Sequence, residues 1–483
     1  MSRQSSAESV IARGPVQEIL ENAYRSHRPS LVSVVGRRRV GKTFLVRQTY
    51  AERIVFSVTG IANARLRTQL TAFSLQLRDT FGDQAANDRY STWLEALAAL
   101  GRLLDKQLTL HPDRRVVFFD ELPWLASPKS GFLAAFSWFW NSWAMDRNLV
   151  VVICGSAASW MIRKVVRDKG SLHNRITHRI TLKPFTLPEC NAFFDSRGVV
   201  ADPYQRLQLY MAFGGVPFYL EQLNPGQSAT QNIQRLLFGE DAVFREEFDL
   251  LYQSLFTQAD RHIAVVRALA AKPGGLTRKA LEQITAISSG GRLTRVLDEL
   301  ELSGFIDRSY PFGAKKKQRL IRLIDEYSAF YIKFVEGTAP TPNRFPQISL
   351  SSSYRSWSGF AFERVCLRNV TQIASALSIA GIAYTAGSYV ASANEHADGV
   401  QIDLLLDRSD RTITLIEAKY SENEFVLTKV YAAELREKIR RFRAHTKTKK
   451  HVNLALVTTY GLKPNQHSIG LIENVISLID LLE

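Results

Sequence analysis

The sequence lacks the cysteine spacing, the long apolar runs and the signal peptide that are typical of secreted, metal-stabilised or membrane proteins. Its 483 residues include three cysteines, Cys154, Cys190 and Cys366, an odd number without the spacing of a metal site. So few cysteines, without a paired pattern, are typical of a protein in a reducing compartment and exclude a disulfide scaffold. No apolar run approaches the roughly 18 to 20 residues of a membrane helix, and the first residues lack the apolar core of a signal peptide. We therefore expect a cytoplasmic protein that does not bind membranes.

Acidic residues are also in deficit. There are 46 Asp and Glu against 62 Lys and Arg, which gives a formal net charge of +16. Such a balance favours a polyanionic partner, most simply DNA, although charge alone would also suit an anionic membrane surface. There is no internal repeat, and the length allows several domains. The composition leaves open a homo-oligomer or a regulatory protein partner.

The strongest motif present lies in residues 31–43, which read LVSVVGRRRVGKT. An apolar run leads into the pattern G-x-x-x-x-G-K-[ST], and a helical stretch follows. Glycines allow backbone N–H groups to curl around phosphates, the lysine reaches the β and γ phosphates, and the threonine hydroxyl binds Mg²⁺. The residues expected to contact ATP are Gly36, Arg37, Arg38, Arg39, Val40, Gly41, Lys42, Thr43 and Phe44.

A second apolar run, RVVFFDE, ends in Asp120 and Glu121. Ligands sit beyond the carboxyl ends of parallel strands, so we expect Asp120 to hold Mg²⁺ and Glu121 to polarise the attacking water. A third run, NLVVVIC, leads to Ser156. Its hydroxyl could touch the γ-phosphate or the water, or it could cap the next helix. Strands near residues 31, 54, 116 and 150, separated by helices, predict a parallel three-layer α/β domain over residues 1–185.

The segments GRRRVGKT, FFDELPWL, CGSAASWM and LHNRITHRITLKPF resemble the archaeal-type prokaryotic ATPases of the AAA+-related, signal-transducing STAND branch. The resemblance covers nearly the whole chain. It implies that Ser156 senses the γ-phosphate and that Arg175 or Arg179 is an arginine finger, with solvated loop charges as the alternative. Residues 213–220, FGGVPFYL, resemble the family's Gly-x-Pro element at Gly215 and Pro217, which closes over the nucleotide from a helical lid, residues 186–255.

Residues 256–338 show the order helix, helix, helix and hairpin that is typical of a winged helix. A DNA-binding winged helix would place Arg292 and Arg295 in the major groove and the wing lysines against phosphates. The wing lysines are Lys315, Lys316 and Lys317. The alternative is a rigid spacer packed on the nucleotide domain.

The last predicted domain, residues 350–483, contains the hairpin VQIDLLLDRSDRTITLIEAKY. With Ser409 at the centre of the turn, Asp403 would lie opposite Leu415 and diagonal to Glu417. Glu417 and Lys419 would share that face. Asp403 and Glu417 would hold Mg²⁺ or Mn²⁺ beside a phosphodiester, and Lys419 would orient water.

The spacing D-x₁₃-E-x-K resembles that of the PD-(D/E)XK nucleases, and Glu363 in the preceding helix matches their helical acid. The basic residues 429–450 offer a phosphate-binding face, unless they are merely solvated.

The sequence as a whole predicts an α/β multidomain protein. Its parts are a P-loop three-layer αβα ATPase domain, a helical lid, a winged helix and an α/β restriction-endonuclease-like domain. We expect an ATP-hydrolysing protein that couples nucleotide state to a metal-dependent nuclease-like domain acting on DNA. The alternative is an ATP-switched DNA-binding regulator or signalling scaffold whose nuclease-like domain is inert.

Overall fold

The computed structural model describes residues 10–85, 89–110, 113–166, 172, 174–288, 290–309, 311–313, 319–391 and 399–483. The chain divides into two units, Met1–Lys183 and Pro184–Glu483. None of the described helices combines the length and apolar character that a membrane crossing requires.

Unit 1 is built on a five-stranded parallel sheet with the order β2-β3-β4-β1-β5. Its strands are β1 (Ser30–Val35), β2 (Ile54–Thr59), β3 (Arg115–Asp120), β4 (Leu149–Gly155) and β5 (His178–Thr181). The four strands predicted from apolar runs are confirmed. The fifth was missed because it is short and buries only Ile180 completely.

Helices cover both faces of this sheet. They are α1 (Gly14–Arg25), α2 (Lys42–Tyr50), α3 (Leu66–Phe81), α4 (Trp93–Leu110), α5 (Leu122–Leu125), α6 (Phe132–Ser142) and α7 (Ala158–Met161). Along β1, Leu31 and Val35 join the core formed with α3, α4 and α6, whereas Val32 and Val34 join the core formed with α1 and α2. Because alternate residues point to opposite faces, two cores enclose one buried sheet, which is the predicted three-layer core.

Unit 2 begins with helices. These are α8 (Leu187–Ser196), α9 (Pro203–Phe213), α10 (Pro217–Leu220), α11 (Ala229–Ile233) and α12 (Glu247–Leu255). The region predicted as a winged helix follows with α13 (Ala259–Ala270), β6 (Leu276–Thr277), α14 (Arg278–Thr285), α15 (Gly291–Leu302), β7 (Ile306–Ser309) and β8 (Leu320–Leu323). Its three strands form an antiparallel sheet in the order β6-β8-β7. The wing lysines Lys315, Lys316 and Lys317 lie outside the described residues.

The remainder of unit 2 surrounds a second five-stranded sheet. Its helices are α16 (Glu326–Phe330), α17 (Arg344–Ser349), α18 (Ser352–Arg368), α19 (Val370–Ala376), α20 (Lys429–Thr446) and α21 (Leu478–Leu482). Its strands are β9 (Tyr384–Ala391), β10 (Val400–Arg408), β11 (Thr412–Lys419), β12 (Phe425–Val426), β13 (His451–Thr458), β14 (Leu462–Lys463) and β15 (Asn474–Ile476).

The order of this sheet is β15-β13-β11-β10-β9, and β12 pairs separately with β14. Strands β9, β10 and β11 are antiparallel neighbours, whereas β11, β13 and β15 run parallel. Helix α20 connects β11 to β13, as a parallel crossover requires.

The predicted register of the β10–β11 hairpin is wrong by two residues. Leu405, not Asp403, lies opposite Leu415. The turn is centred on Asp410 rather than Ser409, because Arg411 adopts a left-handed conformation with φ 65° and the Arg408 side chain pairs with Asp410. Extending the observed register by one pair places Asp403 level with Glu417 on one face of the sheet.

Candidate functional site

The loop after β1 is shaped by two glycines that no other residue could replace without strain. A Cβ atom on Gly36 would lie 2.3 Å from the carbonyl oxygen of Leu182, and Gly41 has a φ of 85°. Leu182 N–H in turn donates to the Val35 carbonyl at 2.7 Å, which fixes the start of the loop. The chain therefore curls tightly before α2, and a tight glycine loop at a helix N-terminus is the arrangement that binds phosphate groups.

Lys42 and Thr43 lie at the start of α2, where they meet other parts of the site. The Lys42 Nζ atom is buried and donates to the Arg37 carbonyl at 2.9 Å. Thr43 Oγ1 donates to Asp120 Oδ2 at 2.8 Å, which joins the helix to the end of β3. A hydroxyl and a carboxylate in contact form the oxygen donor set that Mg²⁺ prefers.

Glu121 follows β3 directly and adopts an unusual backbone conformation. Its φ of 47° is left-handed, which is costly for a residue with a side chain. Its Oε2 atom accepts from the Ser156 N–H at 3.1 Å and from the Ser156 hydroxyl at 2.8 Å. Ser156 thus holds the predicted water-polarising carboxylate and does not cap α7.

The other predicted contacts of unit 1 differ in their exposure. Within the loop, Arg37 and Val40 are buried, Arg38 and Arg39 are half-buried, and Phe44 is exposed. Arg39 also has a left-handed φ of 73°.

The two candidate arginine fingers, Arg175 and Arg179, are exposed, in a turn and on β5 respectively. Neither forms an ion pair with any residue that the structure describes. The structure brings Lys42, Thr43, Asp120, Glu121 and Ser156 together and leaves the arginines on the surface.

Gly215 and Pro217 belong to unit 2. A Cβ atom on Gly215 would meet the Phe185 carbonyl oxygen at 1.9 Å, and Phe185 N–H donates to the Gly215 carbonyl at 2.6 Å. Pro217 is buried at the first position of α10. This close backbone approach explains the glycine, and the predicted contact with nucleotide stays a prediction.

A second polar cluster lies on the sheet of unit 2, around Glu417. Its Oε1 atom is 3.1 Å from Lys419 Nζ and accepts from the Tyr431 hydroxyl, and its Oε2 atom accepts from Lys438 Nζ at 2.8 Å. Burial alone would raise the pKa of Glu417, but Lys438 and Lys419 hold that pKa below its usual value. Tyr431 and Lys438 lie on α20 and were not identified from the sequence.

Asp403 and Glu363 complete the group of acids. In the pairing of β10 with β9, a β-bulge falls between Ile402 and Leu405, and bulges redirect side chains. Asp403 Oδ1 accepts from Gln401 Nε2 at 2.8 Å. The pKa of Glu363 is raised to about 7, first by burial and then by the negative charges of Asp403 and Glu417. Glu363 is therefore influenced by the charges of both other predicted acids.

These acids are close enough to repel one another without forming a ready metal site. Among the residues that the structure describes, no group of three or more His, Cys, Asp and Glu side chains is placed to hold a metal ion. Glu417 is engaged by two ammonium groups and a phenol instead.

Arg322, on β8, faces these acids from the region predicted as a winged helix, and no local pattern in the sequence marks it. It is only 5% exposed, and its Nε atom donates to the Gly274 carbonyl at 3.2 Å. Burial lowers the pKa of Arg322, and the charges of Asp403, Asp307 and Glu363 oppose that shift.

A direct contact joins the region predicted as a winged helix to the second five-stranded sheet. The Phe312 N–H donates to the Ser388 carbonyl of β9 at 2.5 Å, and the Phe312 ring lies 5.8 Å from that of Phe442. The β7–β8 hairpin is therefore docked on the sheet that carries the acids.

Helix α18, which carries Glu363, is also anchored. Arg368 Nη1 pairs with the buried Glu326 of α16 at 2.7 Å, and Asn369 Oδ1 accepts from Leu187 N–H at 3.0 Å. A buried pair is costly to break because it leaves an uncompensated charge. The position of Glu363 is therefore tied to α16 and to the start of α8.

Only part of the basic segment 429–450 faces solvent. Lys438 binds Glu417, Arg441 Nη1 donates to the Gly399 carbonyl, and Lys450 pairs with Asp407. The exposed basic residues without such contacts among the described residues are Lys429, Arg436, Lys447 and Lys449.

Comparison with protein families finds a match in the first half of the chain. Residues 16–223 match the model of a family described as an ATPase domain predominantly from Archaea. None of the curated proteins matches the sequence. This part of the chain is therefore similar to an archaeal-type ATPase domain, and the similarity supports ATP binding with Mg²⁺ and ATP hydrolysis.

Several solved structures are similar at low identity. A Walker-type ATPase of Pyrococcus abyssi is 18% identical over 67% of this chain and 96% of its own, with a TM-score of 0.49. The ORC2 protein of Aeropyrum pernix is 14% identical over 72% and 98%, with a TM-score of 0.41. A STAND protein with a tetratricopeptide repeat sensor from Pyrococcus horikoshii is 14% identical over 76% and 50%, with a TM-score of 0.31.

Proposed function

We propose that this protein is a cytoplasmic ATPase whose nucleotide state controls a metal-dependent, nuclease-like domain acting on DNA, in genome maintenance or in defence against foreign DNA. The domain scheme is an ATPase core (1–185), a lid (186–255), a winged helix (256–338) and a nuclease-like domain (350–483). The observation that carries the DNA-cleaving part is that Asp403, Glu417 and Lys419 lie on two neighbouring strands of one sheet. The charges of Asp403 and Glu417 also act on Glu363 of α18.

The ATPase part is supported by contacts within unit 1. A phosphate oxygen would replace the Arg37 carbonyl as the acceptor for Lys42, and Thr43 with Asp120 would hold Mg²⁺. Glu121, fixed by Ser156, would orient the attacking water by accepting its hydrogen bond. Arg175 or Arg179 would supply a finger from a neighbouring copy or from this chain, and Gly215 with Pro217 would belong to the lid.

The nuclease-like part is supported by the chemistry of its side chains. Asp403 and Glu417 are hard oxygen donors that suit Mg²⁺ or Mn²⁺, and a bound metal would stabilise the charge that develops at a phosphodiester. Lys419 already lies beside Glu417, and freed from that pair it would orient water. The elevated pKa of Glu363 is of the kind found at sites that gather like charges for function.

The alternative function is a DNA-binding regulator or signalling scaffold with an inert nuclease-like domain. Two observations favour it: Glu417 is neutralised by Lys419 and Lys438, and the described residues hold no ready metal cluster.

Cleavage of plasmid and of linear or branched DNA in Mg²⁺ or Mn²⁺ separates the two functions. We expect Asp403→Ala and Glu417→Ala to abolish cleavage while DNA binding and ATP hydrolysis persist, and Lys419→Ala to lower the rate of cleavage more than metal affinity. Exposed Glu424 provides a matched control as Glu424→Ala. If wild-type protein cuts no nucleic acid in any metal or nucleotide, or if Asp403→Ala cuts as wild type does, the alternative holds.

A further inference from the structure

Gln69 is a buried polar residue on an otherwise apolar face of α3. The helix buries it together with Leu70, Phe73, Leu77 and Phe81, and Gln69 itself is only 1% exposed. A buried amide costs free energy unless its polar atoms are hydrogen-bonded. The bonding partners of this side chain therefore indicate what the amide does at this position.

The Gln69 amide bonds to two separate segments of unit 1. Its Oε1 atom accepts from the Ile61 N–H at 3.1 Å, and its Nε2 atom donates to the Ile61 carbonyl at 2.6 Å. The same Nε2 atom donates to the Trp124 carbonyl at 3.1 Å. Ile61 follows β2, and Trp124 lies on α5, the turn that follows Glu121. The side chain therefore connects these two segments.

Both segments contact the backbone of Asp120 and Glu121. Gly60 N–H donates to the Asp120 carbonyl at 2.9 Å, and a Cβ atom on Gly60 would lie 2.6 Å from the Glu121 carbonyl oxygen. The Trp124 N–H donates to that same oxygen at 2.9 Å. The Glu121 peptide therefore lies between the segment after β2 and the turn of α5, which the Gln69 amide holds together.

These contacts surround a residue with a costly backbone conformation. The left-handed φ of 47° at Glu121 persists only where neighbouring structure imposes it. In this conformation the Glu121 carboxylate accepts from the Ser156 N–H at 3.1 Å and from its hydroxyl at 2.8 Å. A rotation of the Glu121 peptide would move that carboxylate, and a displacement of about 1 Å can slow a reaction about 10²-fold.

We propose that Gln69 is a positioning residue for ATP hydrolysis. Its amide holds the backbone of Glu121 in the left-handed conformation and so keeps the carboxylate where it polarises the attacking water. This role rests on the proposed action of Glu121 in hydrolysis and adds a residue that acts only through Glu121. Because ATP binding uses Lys42 and Thr43 instead, loss of the amide lowers kcat and leaves the affinity for ATP unchanged.

The main test is steady-state ATP hydrolysis by full-length Gln69→Met, whose side chain has a similar length but no N–H donor. Gln76→Met is the matched control, because Gln76 lies on the same helix and its amide donates to the Thr80 hydroxyl at 3.3 Å on the exposed surface. We expect kcat of Gln69→Met to fall at least about tenfold, while KM and the affinity for a non-hydrolysable ATP analogue stay within about threefold of wild type. The control should match wild type. A smaller fall in kcat, or a larger loss of ATP affinity, overturns the positioning role.

A second measurement separates positioning from general support of the fold. Gln69→Met is combined with Glu121→Ala, which removes the carboxylate altogether, and single-turnover hydrolysis is followed. Because Gln69 acts through that carboxylate, the double variant should hydrolyse ATP within about twofold of the rate of Glu121→Ala alone. A further loss beyond that range shows that Gln69 acts by another route and overturns the positioning role.

Far-UV circular dichroism checks that the variants are folded. If Gln69→Met is unfolded, Gln69→Glu takes its place under the same criteria. Glutamate keeps the size of glutamine and the acceptor for the Ile61 N–H, and it loses at least one of the two N–H donors.

The outcomes separate the role of Gln69 from that of Glu121. Hydrolysis that depends on Glu121 but not on Gln69 overturns only the positioning role. Wild-type protein that does not hydrolyse ATP, or a Glu121→Ala variant that hydrolyses ATP as wild type does, overturns the proposed action of Glu121 and the positioning role with it.

Discussion

Glu363→Gln tests whether burial and the neighbouring acids disfavour the charged form of Glu363. In the folded protein the pKa of Glu363 rises from its usual 4.5 to about 7, first because of burial and then because Asp403 and Glu417 are negative. Lys419 and Lys438 oppose the shift. Gln has nearly the same shape and never ionises, so the substitution removes the charge and little else.

The expected difference in stability follows from the coupling between proton binding and folding. A rise of about 2.5 pKa units, at 1.36 kcal/mol each, corresponds to about 3 kcal/mol. The folded state binds this proton more tightly than the unfolded state does, so the stability it confers is complete below about pH 4.5 and is lost as the pH rises to about 7. Wild type and Glu363→Gln should therefore be about equally stable near pH 4.5. At pH 8 the variant should be more stable by up to about 3 kcal/mol.

Hydrogen exchange of peptides from α18, β10 and β11 measures the local opening free energy, and comparing both proteins at each pH cancels the intrinsic pH dependence of exchange. Glu424→Gln is the control, because Glu424 is exposed on the same domain. Equal protection of wild type and Glu363→Gln at pH 8, or a gain of the same size at pH 5, would refute the raised pKa of Glu363.

Three further predictions concern both units. Lys42→Ala should abolish ATP binding in a calorimetric titration, whereas Glu121→Gln should bind ATP and hydrolyse it about 10² to 10⁴ times more slowly; wild-type affinity in Lys42→Ala would refute the P-loop assignment. Ser156→Ala removes one of the two bonds to Glu121 and should slow hydrolysis less than Glu121→Gln does, so a larger loss would mean that Ser156 has a separate role. Arg322→Gln removes a cation that faces Asp403, and at pH 8.5 it should tighten Mn²⁺ binding at least about tenfold by calorimetry; unchanged or weaker binding would show that Arg322 does not oppose the metal.

The nucleotide site was predictable because its signals are local. The run before Gly36 and the run before Asp120 are continuous in sequence, and parallel strands deliver their carboxyl ends to one edge. The contact of Thr43 with Asp120 follows from that rule. The bond between Ser156 and Glu121 was not anticipated, because it depends on the left-handed backbone of Glu121, which nothing in the sequence marks.

The second site was only partly predictable. The hairpin and its acids could be read from an apolar pattern, but the register depended on whether Ser409 or Asp410 centred the turn. Lys438 contacts Glu417 from a helix 21 residues away, and Arg322 approaches from a different folded segment. Tertiary packing brings these side chains to the acids. The spacing of residues within one segment of sequence therefore does not reveal them.

Control of DNA cleavage by nucleotide state can be measured by following cleavage of one DNA substrate in Mg²⁺ by wild type, Lys42→Ala and Glu121→Gln, each with and without ATP. We expect ATP to change the wild-type cleavage rate and Lys42→Ala to lose this response. We expect Glu121→Gln with ATP to keep the cleavage rate of the ATP-bound state. Cleavage that is the same in all three proteins with and without ATP would contradict this control, as would the absence of any cleavage by wild type.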